Sequence, residues 1–246
     1  MSIGHPPLAL NAWLRYDLVS RITRRIERDA PVLEIGAGQG AVGSRLAERF
    51  DYVGVEADPT SAAVARRRIH AHGGTLVQGD ARDVAPVGPY DLVCAFEVLE
   101  HIEDDSTALG DWIARLRVGG RLLISVPAHQ HRFGPWDTAV GHYRRYGLDE
   151  LTALLRAGGL GEVEVYSYGF PLGYVLEAVR NRIAARGSSP ASAAEATAGS
   201  GRRLQPSGLA GVATRLLSAP FRYLQRPFAS TGLGTGLVAT GIRRGP

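Results

Sequence analysis

The sequence predicts an α/β protein: an open sheet of seven strands, mostly parallel, with helices on both faces. Three observations predict it. First, short apolar runs of strand length alternate with amphipathic stretches of helix length through residues 30–168. That order demands crossover connections and hence parallel pairing. Second, the run Val32-Leu33-Glu34-Ile35 stops in a glycine-rich turn, Gly36-Ala37-Gly38-Gln39-Gly40, and the next run, Val53-Gly54-Val55, ends in Glu56-Ala57-Asp58. An apolar strand opening through glycines into a helix, with an acid at the end of the following strand, is a Rossmann-like way of holding a nucleoside-bearing ligand. Third, 246 residues can bury the core of one such domain and carry an elaboration.

The elements follow in order. Leu10, Trp13, Leu14, Leu18, Ile22 and Ile26 recur at helical spacing, which predicts a helix over 8–28. Its Trp13 and Tyr16 either pack in the core or cover the ligand. Strand 31–35 leads to helix 41–49 and strand 52–56. Asp58-Pro59 opens a helix through Ala62, Ala65 and Ile69, with proline suited to the first turn. Strand 75–77 precedes Gly79-Asp80. Strand 90–95 is followed by a helix over 105–117, which Gly119-Gly120 is expected to end. Strand 121–126, helix 148–157 and strand 162–168 complete the alternation.

Beyond it, Leu172, Val175, Leu176, Val179 and Ile183 predict a helix over 171–185. Residues 187–207 are mainly Ser, Ala, Gly and Pro, with little to bury, and read as a disordered loop. Val212, Leu216, Leu217 and Leu224 predict a helix over 209–226, interrupted by Pro220. Residues 236–242 read as a last strand. The expected layout is an N-terminal helical segment (1–29), a ligand-binding core (30–168), a helical insertion (169–232), and a last strand with a tail (233–246).

All 28 basic residues are arginine, a usage that reflects a GC-rich bacterial genome more than a function. Residues 1–170 carry 18 arginines against 22 acids, and residues 171–246 carry 10 against 2. These late arginines are scattered among apolar residues, not massed in a tract. That argues against nucleic acid and leaves an acidic substrate or an anionic membrane surface as partners. The single cysteine, Cys94, lies in an apolar strand and forms no internal disulfide, which fits a reducing cytoplasm. The first residues lack a basic segment followed by an apolar core, and no apolar run is long enough to span a bilayer. The expected location is cytoplasmic.

Glu34 bears on the ligand. A carboxylate inside the strand, just before the turn, is a poor neighbour for a pyrophosphate and suits a water or the amino group of an amino-acid ligand. With Glu34-x-Gly36-x-Gly38-x-Gly40, Glu56, Gly79-Asp80 and Asp91-Leu92-Val93-Cys94-Ala95-Phe96-Glu97-Val98-Leu99-Glu100-His101, residues 30–168 resemble class I S-adenosylmethionine-dependent methyltransferases of the type 11/12 superfamily. The resemblance implies S-adenosyl-L-methionine as cofactor, an antiparallel seventh strand inserted beside strand 5, and an insertion placed over the acceptor. It further implies that Gly36, Ala37, Gly38 and Gly40 wrap the amino-acid and ribose portion. Glu56 would take the ribose hydroxyls with Ala57 beside the adenine, Asp80 would meet the adenine amino group with Ala81 nearby, and Phe96 and Glu97 would stand near the cofactor. Each acid could instead cap a helix or sit in an exposed loop.

The acceptor side is expected in the loop after strand 5, from Pro127-Ala128-His129-Gln130-His131-Arg132 to Gly141-His142-Tyr143-Arg144-Arg145-Tyr146, because open sheets bind ligands at the C-terminal ends of their strands. His129 and His142 are the leading candidates for a base, with His101 behind them. Arg144 and Arg145 would fix a carboxylate or phosphate, or else hold the loop to a helix. Trp136, Tyr143 and Tyr146 would line the pocket, or pack in the core. His129, His131 and His142 are also a conceivable metal set, set aside because no nearby carboxylate cluster supports it; no metal is expected. The function expected is methyl transfer to an oxygen or nitrogen of a small-molecule acceptor, a natural product or a glycan. The alternative is a peripheral membrane or partner-binding protein of the same fold, or an enzyme acting on a lipid-linked acceptor.

Overall fold

The computed structural model describes residues 4–84, 90–186 and 208–245. Strands β1 (Pro31–Ile35), β2 (Asp51–Glu56), β3 (Thr75–Gln78), β4 (Tyr90–Phe96), β5 (Leu116–Pro127), β6 (Leu160–Tyr168) and β7 (Gly236–Arg243) form one sheet in the order β3-β2-β1-β4-β5-β7-β6. The pairs among β1 to β5 are parallel, and β7 runs antiparallel to both its neighbours. The antiparallel last strand stands where the resemblance placed it.

Period-two alternation divides the buried side chains between two apolar layers. On β4, Leu92, Cys94 and Phe96 join the layer under α1 (Leu10–Thr23), α2 (Gly43–Ala47) and α3 (Pro59–His70). Val93 and Ala95 join the layer under α4 (Asp105–Ala114) and α6 (Leu148–Ala157). Local chemistry sets the helix starts. The Asp58 carboxylate accepts from the Ser61 N–H at 2.9 Å, with Pro59 in the first turn of α3. Glu150 accepts from the Gly147 N–H at 3.0 Å ahead of α6.

Several expectations are corrected. The first helix ends at Thr23, short of 28, and α4 ends at Ala114, not 117. Gly119 and Gly120 do not cap it. They lie within β5, where the register with β4 jumps between Tyr90↔Leu116 and Leu92↔Arg121 and Gly119 takes a φ of 79°. Close packing suits glycine there, because a Cβ at Gly120 would meet the Tyr90 carbonyl at 2.8 Å. The loop after β5 contains a helix, α5 (Pro135–Val140), opened by Gly134-Pro135 and an acid in its first turn. The disordered loop expected over 187–207 lies outside the described residues.

Helix α7 (Leu172–Ala184) packs on α5, and α8 (Gly208–Leu224) packs on α1. Pro220 sits inside α8 without ending it. The seam with α1 is polar: buried Asp17 meets Arg226 at 2.8 Å and Arg222 at 3.5 Å, and Gln225 donates to the Leu14 carbonyl at 2.9 Å. Among the described residues of these two helices, Glu177 and Arg180 of α7 reach the cleft at the strand ends.

Candidate functional site

A cleft of about 710 Å³ opens at the C-terminal ends of β1, β2 and β4. At one end stands the glycine turn. Gly36, Gly38 and Gly40 take φ values of 71°, 55° and 75°, a left-handed conformation that side chains other than glycine resist. Their surroundings differ. A Cβ at Gly36 would meet Val98 at 2.5 Å and one at Gly40 would meet Ala65 at 3.0 Å, whereas one at Gly38 would point into open space. Gly36, Ala37 and Gly38 line the cleft; Gly40 packs behind it against α3.

Glu56 joins the turns after β1 and β2. Its carboxylate accepts from the Gly38 N–H at 2.7 Å and from the Asp58 N–H at 2.9 Å, and Ala57 stands beside it in the wall. Asp80 and Ala81 line the same end. Asp80 also caps the turn that follows β3, accepting from the Arg82 N–H at 2.8 Å and pairing with its guanidinium, which holds its carboxyl below the ordinary value. Glu34 is buried in the floor and accepts from the Tyr52 hydroxyl at 2.5 Å. Burial, opposed by that hydrogen bond, pushes its carboxyl up to about 7.

Midway along the cleft are Phe96 and Glu97. Glu97 adopts a φ of 59°, uncommon for a residue with a side chain. Its Oε1 accepts from Ser125 at 2.9 Å, Tyr168 at 3.1 Å and Arg15 at 3.2 Å. Burial opposes ionisation, but Arg15 and these hydrogen bonds outweigh it and hold the carboxyl below its usual range. Leu8, Ala9, Asn11, Ala12 and Arg15 form the N-terminal part of the wall, while Trp13 lies in the core beneath.

The far end is walled by His101, Trp136, Asp137, His142, Arg145, Glu177 and Arg180. Asp137 is fully buried. It accepts from His142 Nδ1 at 2.7 Å and from two nitrogens of Arg145 at 2.9 and 2.7 Å. Burial acts against its charge, but these bonds hold its carboxyl down to about 2. Ionised Asp137 therefore fixes His142 with Nδ1 protonated and Nε2 turned away from it. Arg145 continues to Glu177 on α7 at 3.3 Å, and Arg132 meets Glu177 at 3.2 Å. Asn181 accepts from the Trp136 N–H at 3.0 Å, and Arg180 lies over the Trp136 ring. Burial and the neighbouring His142 push His101 down to about 4.

Among the acceptor-side residues singled out in the sequence, the fold brings His101, Trp136, His142 and Arg145 to the cleft and leaves four elsewhere. His129 hydrogen-bonds through Nε2 to the Gly234 carbonyl at 3.1 Å and lies off the wall. Arg144 pairs with Asp105 at 2.8 Å, and buried Tyr146 donates to the same carboxylate at 2.8 Å. Tyr143 is exposed. Arg145 has no free fork to offer an anion, since Asp137 and Glu177 occupy it.

Sequence reasoning missed Arg15, Asp137, Glu177 and Arg180. Asp137 carried a local signal: Gly134-Pro135-x-Asp137 reads as a helix start, which would have set it five residues ahead of His142. The other three come from distant helices and carried none.

Residues 10–165 match the model of a family described as a methyltransferase domain. The trans-aconitate 2-methyltransferase of Azoarcus sp. is 32% identical over 130 residues, covering 49% of this chain and 51% of that protein. A probable S-adenosylmethionine-dependent methyltransferase of Mycolicibacterium smegmatis is 32% identical over 164 residues, covering 63% of this chain and 61% of that protein. The chain thus spans between half and two thirds of the length of these relatives. A SAM-dependent methyltransferase from Thermotoga maritima shares the fold, with a TM-score of 0.58 at 17% identity over 96% of this chain and 92% of that one.

Proposed function

Because the chain belongs to the methyltransferase-domain family, we propose that it transfers the methyl group of S-adenosyl-L-methionine to an oxygen, or a nitrogen, of a small-molecule acceptor. The observation that carries this reading is the single cleft running from the glycine turn and Glu56 to the His142–Asp137 pair. Such a cleft can hold both reactants in line. Displacement at a sulfonium methyl needs little more than that alignment and a route for the acceptor's proton.

In this reading the cofactor's amino-acid and ribose portions lie along Gly36, Ala37 and Gly38. Glu56 takes the ribose hydroxyls with the oxygen lone pairs its two backbone donors leave, and the adenine rests by Ala57, Asp80 and Ala81. Glu97 and Phe96 flank the methyl group. The acceptor enters under α5 and α7 and is activated at the imidazoles of His101 and His142. Equilibrium binding of S-adenosylmethionine, with a nicotinamide dinucleotide as the competing probe, tests the cofactor half. Micromolar binding of the first and none of the second is expected; tight binding of the dinucleotide alone would overturn the reading.

A second reading is favoured by one observation. Val175, Val179 and Ile183 form an exposed apolar stripe on α7, and Leu216 and Leu217 are exposed on α8. No helix among the described residues is long and apolar enough to cross a membrane, but a stripe beside arginines suits the surface of an anionic bilayer carrying a lipid-linked acceptor. Sedimentation with anionic vesicles tests it. Equal, negligible pelleting of the wild type and a Val179→Asp/Ile183→Asp variant removes this reading.

A further inference from the structure

Behind the wall at the acceptor end, Glu100 is fully buried and neither of its carboxylate oxygens has a hydrogen-bond partner. A buried carboxyl group in that state is costly unless something beyond the neighbouring side chains satisfies it. The imidazoles of His101 and His142 stand beside Glu100, and the charges of Glu97, Arg15 and Asp137 also act on it. His142 Nε2 stands 3.8 Å from Glu100 Oε1, and one ligand atom from each of Glu100, His101 and His142 lies within 4.8 Å of the other two. The two rings meet edge to face with centroids 4.6 Å apart. Asp137, itself locked by Arg145, holds His142 by Nδ1, so Nε2 is the nitrogen presented to the cluster. A carboxylate on the far nitrogen is how proteins aim a metal-binding histidine.

We propose that Glu100, His101 and His142 hold a divalent transition-metal ion, with Asp137 as the positioning residue behind His142. Two imidazoles and one carboxylate suit Mn²⁺, Fe²⁺, Co²⁺ or Zn²⁺ better than Mg²⁺ or Ca²⁺, which prefer oxygen throughout. His101 and His142 line the cleft while Glu100 lies behind them, so the positions three protein ligands leave open face the acceptor. These are not the histidines that the sequence suggested for a metal. The rings of His129 and His131 lie tilted against each other, with Nε2 of His129 on the Gly234 carbonyl, and the carboxylate comes from the turn that follows β4.

The chemistry rests on the reading that the acceptor meets this end of the cleft. An acceptor hydroxyl bound to the ion loses its proton to water more readily. The oxygen lone pair then forms the new bond to the methyl carbon, and the electron pair of the broken carbon–sulfur bond stays on sulfur as a neutral thioether. The ion changes no oxidation state.

The test is metal binding to the whole chain after stripping with a chelator, read by equilibrium dialysis with Mn²⁺ and Zn²⁺ and by the visible spectrum of added Co²⁺. One ion per chain is expected in the wild type and in His129→Ala. Binding should weaken at least about tenfold in Glu100→Gln and His142→Ala, and about 10–100-fold in Asp137→Asn. Circular dichroism and S-adenosylhomocysteine binding on the same samples separate a lost ligand from a lost fold, and His142→Ala serves where Glu100→Gln does not fold. No stoichiometric ion in the wild type, or equal binding by these variants, overturns the proposal. Methyl transfer that ignores the chelator also sinks it while leaving the methyltransferase reading intact. A bound ion in a chain that binds no S-adenosylmethionine does the reverse.

Discussion

At the cofactor end of the cleft, the wall is made of residues within a few positions of a strand's end: Gly36 and Gly38 after β1, Glu56 and Ala57 after β2, Asp80 and Ala81 after β3. At the acceptor end, the wall is made of side chains that meet only because helices dock. Arg145 bridges Asp137 on α5 to Glu177 on α7, and Arg132 meets the same Glu177. The first end depends on backbone conformation and short-range hydrogen bonds. The second depends on a buried ion network whose members are costly to leave unpaired. A single substitution should therefore weaken one ligand at the first end, and should disturb both chemistry and stability at the second.

The largest effect expected is on rate. His142→Ala should lower turnover about 10²–10⁴-fold, with S-adenosylmethionine affinity within about a factor of three. His129→Ala should leave both nearly unchanged, because its imidazole serves the Gly234 carbonyl and not the cleft. Steady-state kinetics and cofactor binding measured on both variants decide; equal losses would erase the division between the two ends.

Next comes the network itself. Arg145→Ala takes the shared guanidinium from two buried carboxylates, leaving Asp137 to His142 and Glu177 to Arg132, and should cost about 3–5 kcal/mol of unfolding free energy, read by chemical denaturation. The cofactor should still bind at temperatures where the variant is folded. If cofactor affinity fell in step with stability, the ends would be one cooperative unit.

At the cofactor end, Glu56→Ala should weaken S-adenosylmethionine binding by about 10–100-fold, the loss of one or two charge-assisted bonds of about 1.5–3 kcal/mol at most. Turnover at saturating cofactor should change little. An unaltered dissociation constant would place the ribose elsewhere.

The last effect is confined to a pH dependence. The Glu34 carboxyl is raised from 4.5 to about 7 in the folded chain, so the unfolded chain releases this proton first. Its contribution to stability is full below about 4.5, falls as pH rises, and is lost above about 7. At about 1.4 kcal/mol per unit the decline is on the order of 3–4 kcal/mol. Glu34→Gln should flatten the slope of unfolding free energy between pH 5 and 8. A slope equal to that of the wild type would mean that Glu34 is ionised in the fold.

The same contrast explains how far the sequence could be read. The strand–helix order, the glycine turn and the acids after β2 and β3 were legible because each is a local pattern with one physical meaning. The loop after β5 was legible as a place but not as a set of roles. His129 and His142 look alike in sequence, and only the docking of α5 and α7 turns one toward the cleft and the other onto a backbone carbonyl. Arg145 looked like an anion binder because its two carboxylate partners are invisible until the chain folds. Gly119-Gly120 misled for a related reason: a glycine pair ends a helix or bends a strand equally well, and pairing with Tyr90 decided it.

The position of β7 also constrains the order in which the molecule is made. β6 pairs in the sheet with β7 alone, and β7 separates it from β5. During synthesis, residues 169–235 must leave the ribosome before β7 can follow. Until then β6 has no neighbour to pair with, and the outer edge of β5, carrying Leu122, Ile124 and Val126, stands bare. Unpaired edges of this kind recruit other chains. The nascent protein thus spends the passage of residues 169–235 with the edges of β5 and β6 both unpaired, and the one strand that joins them arrives last.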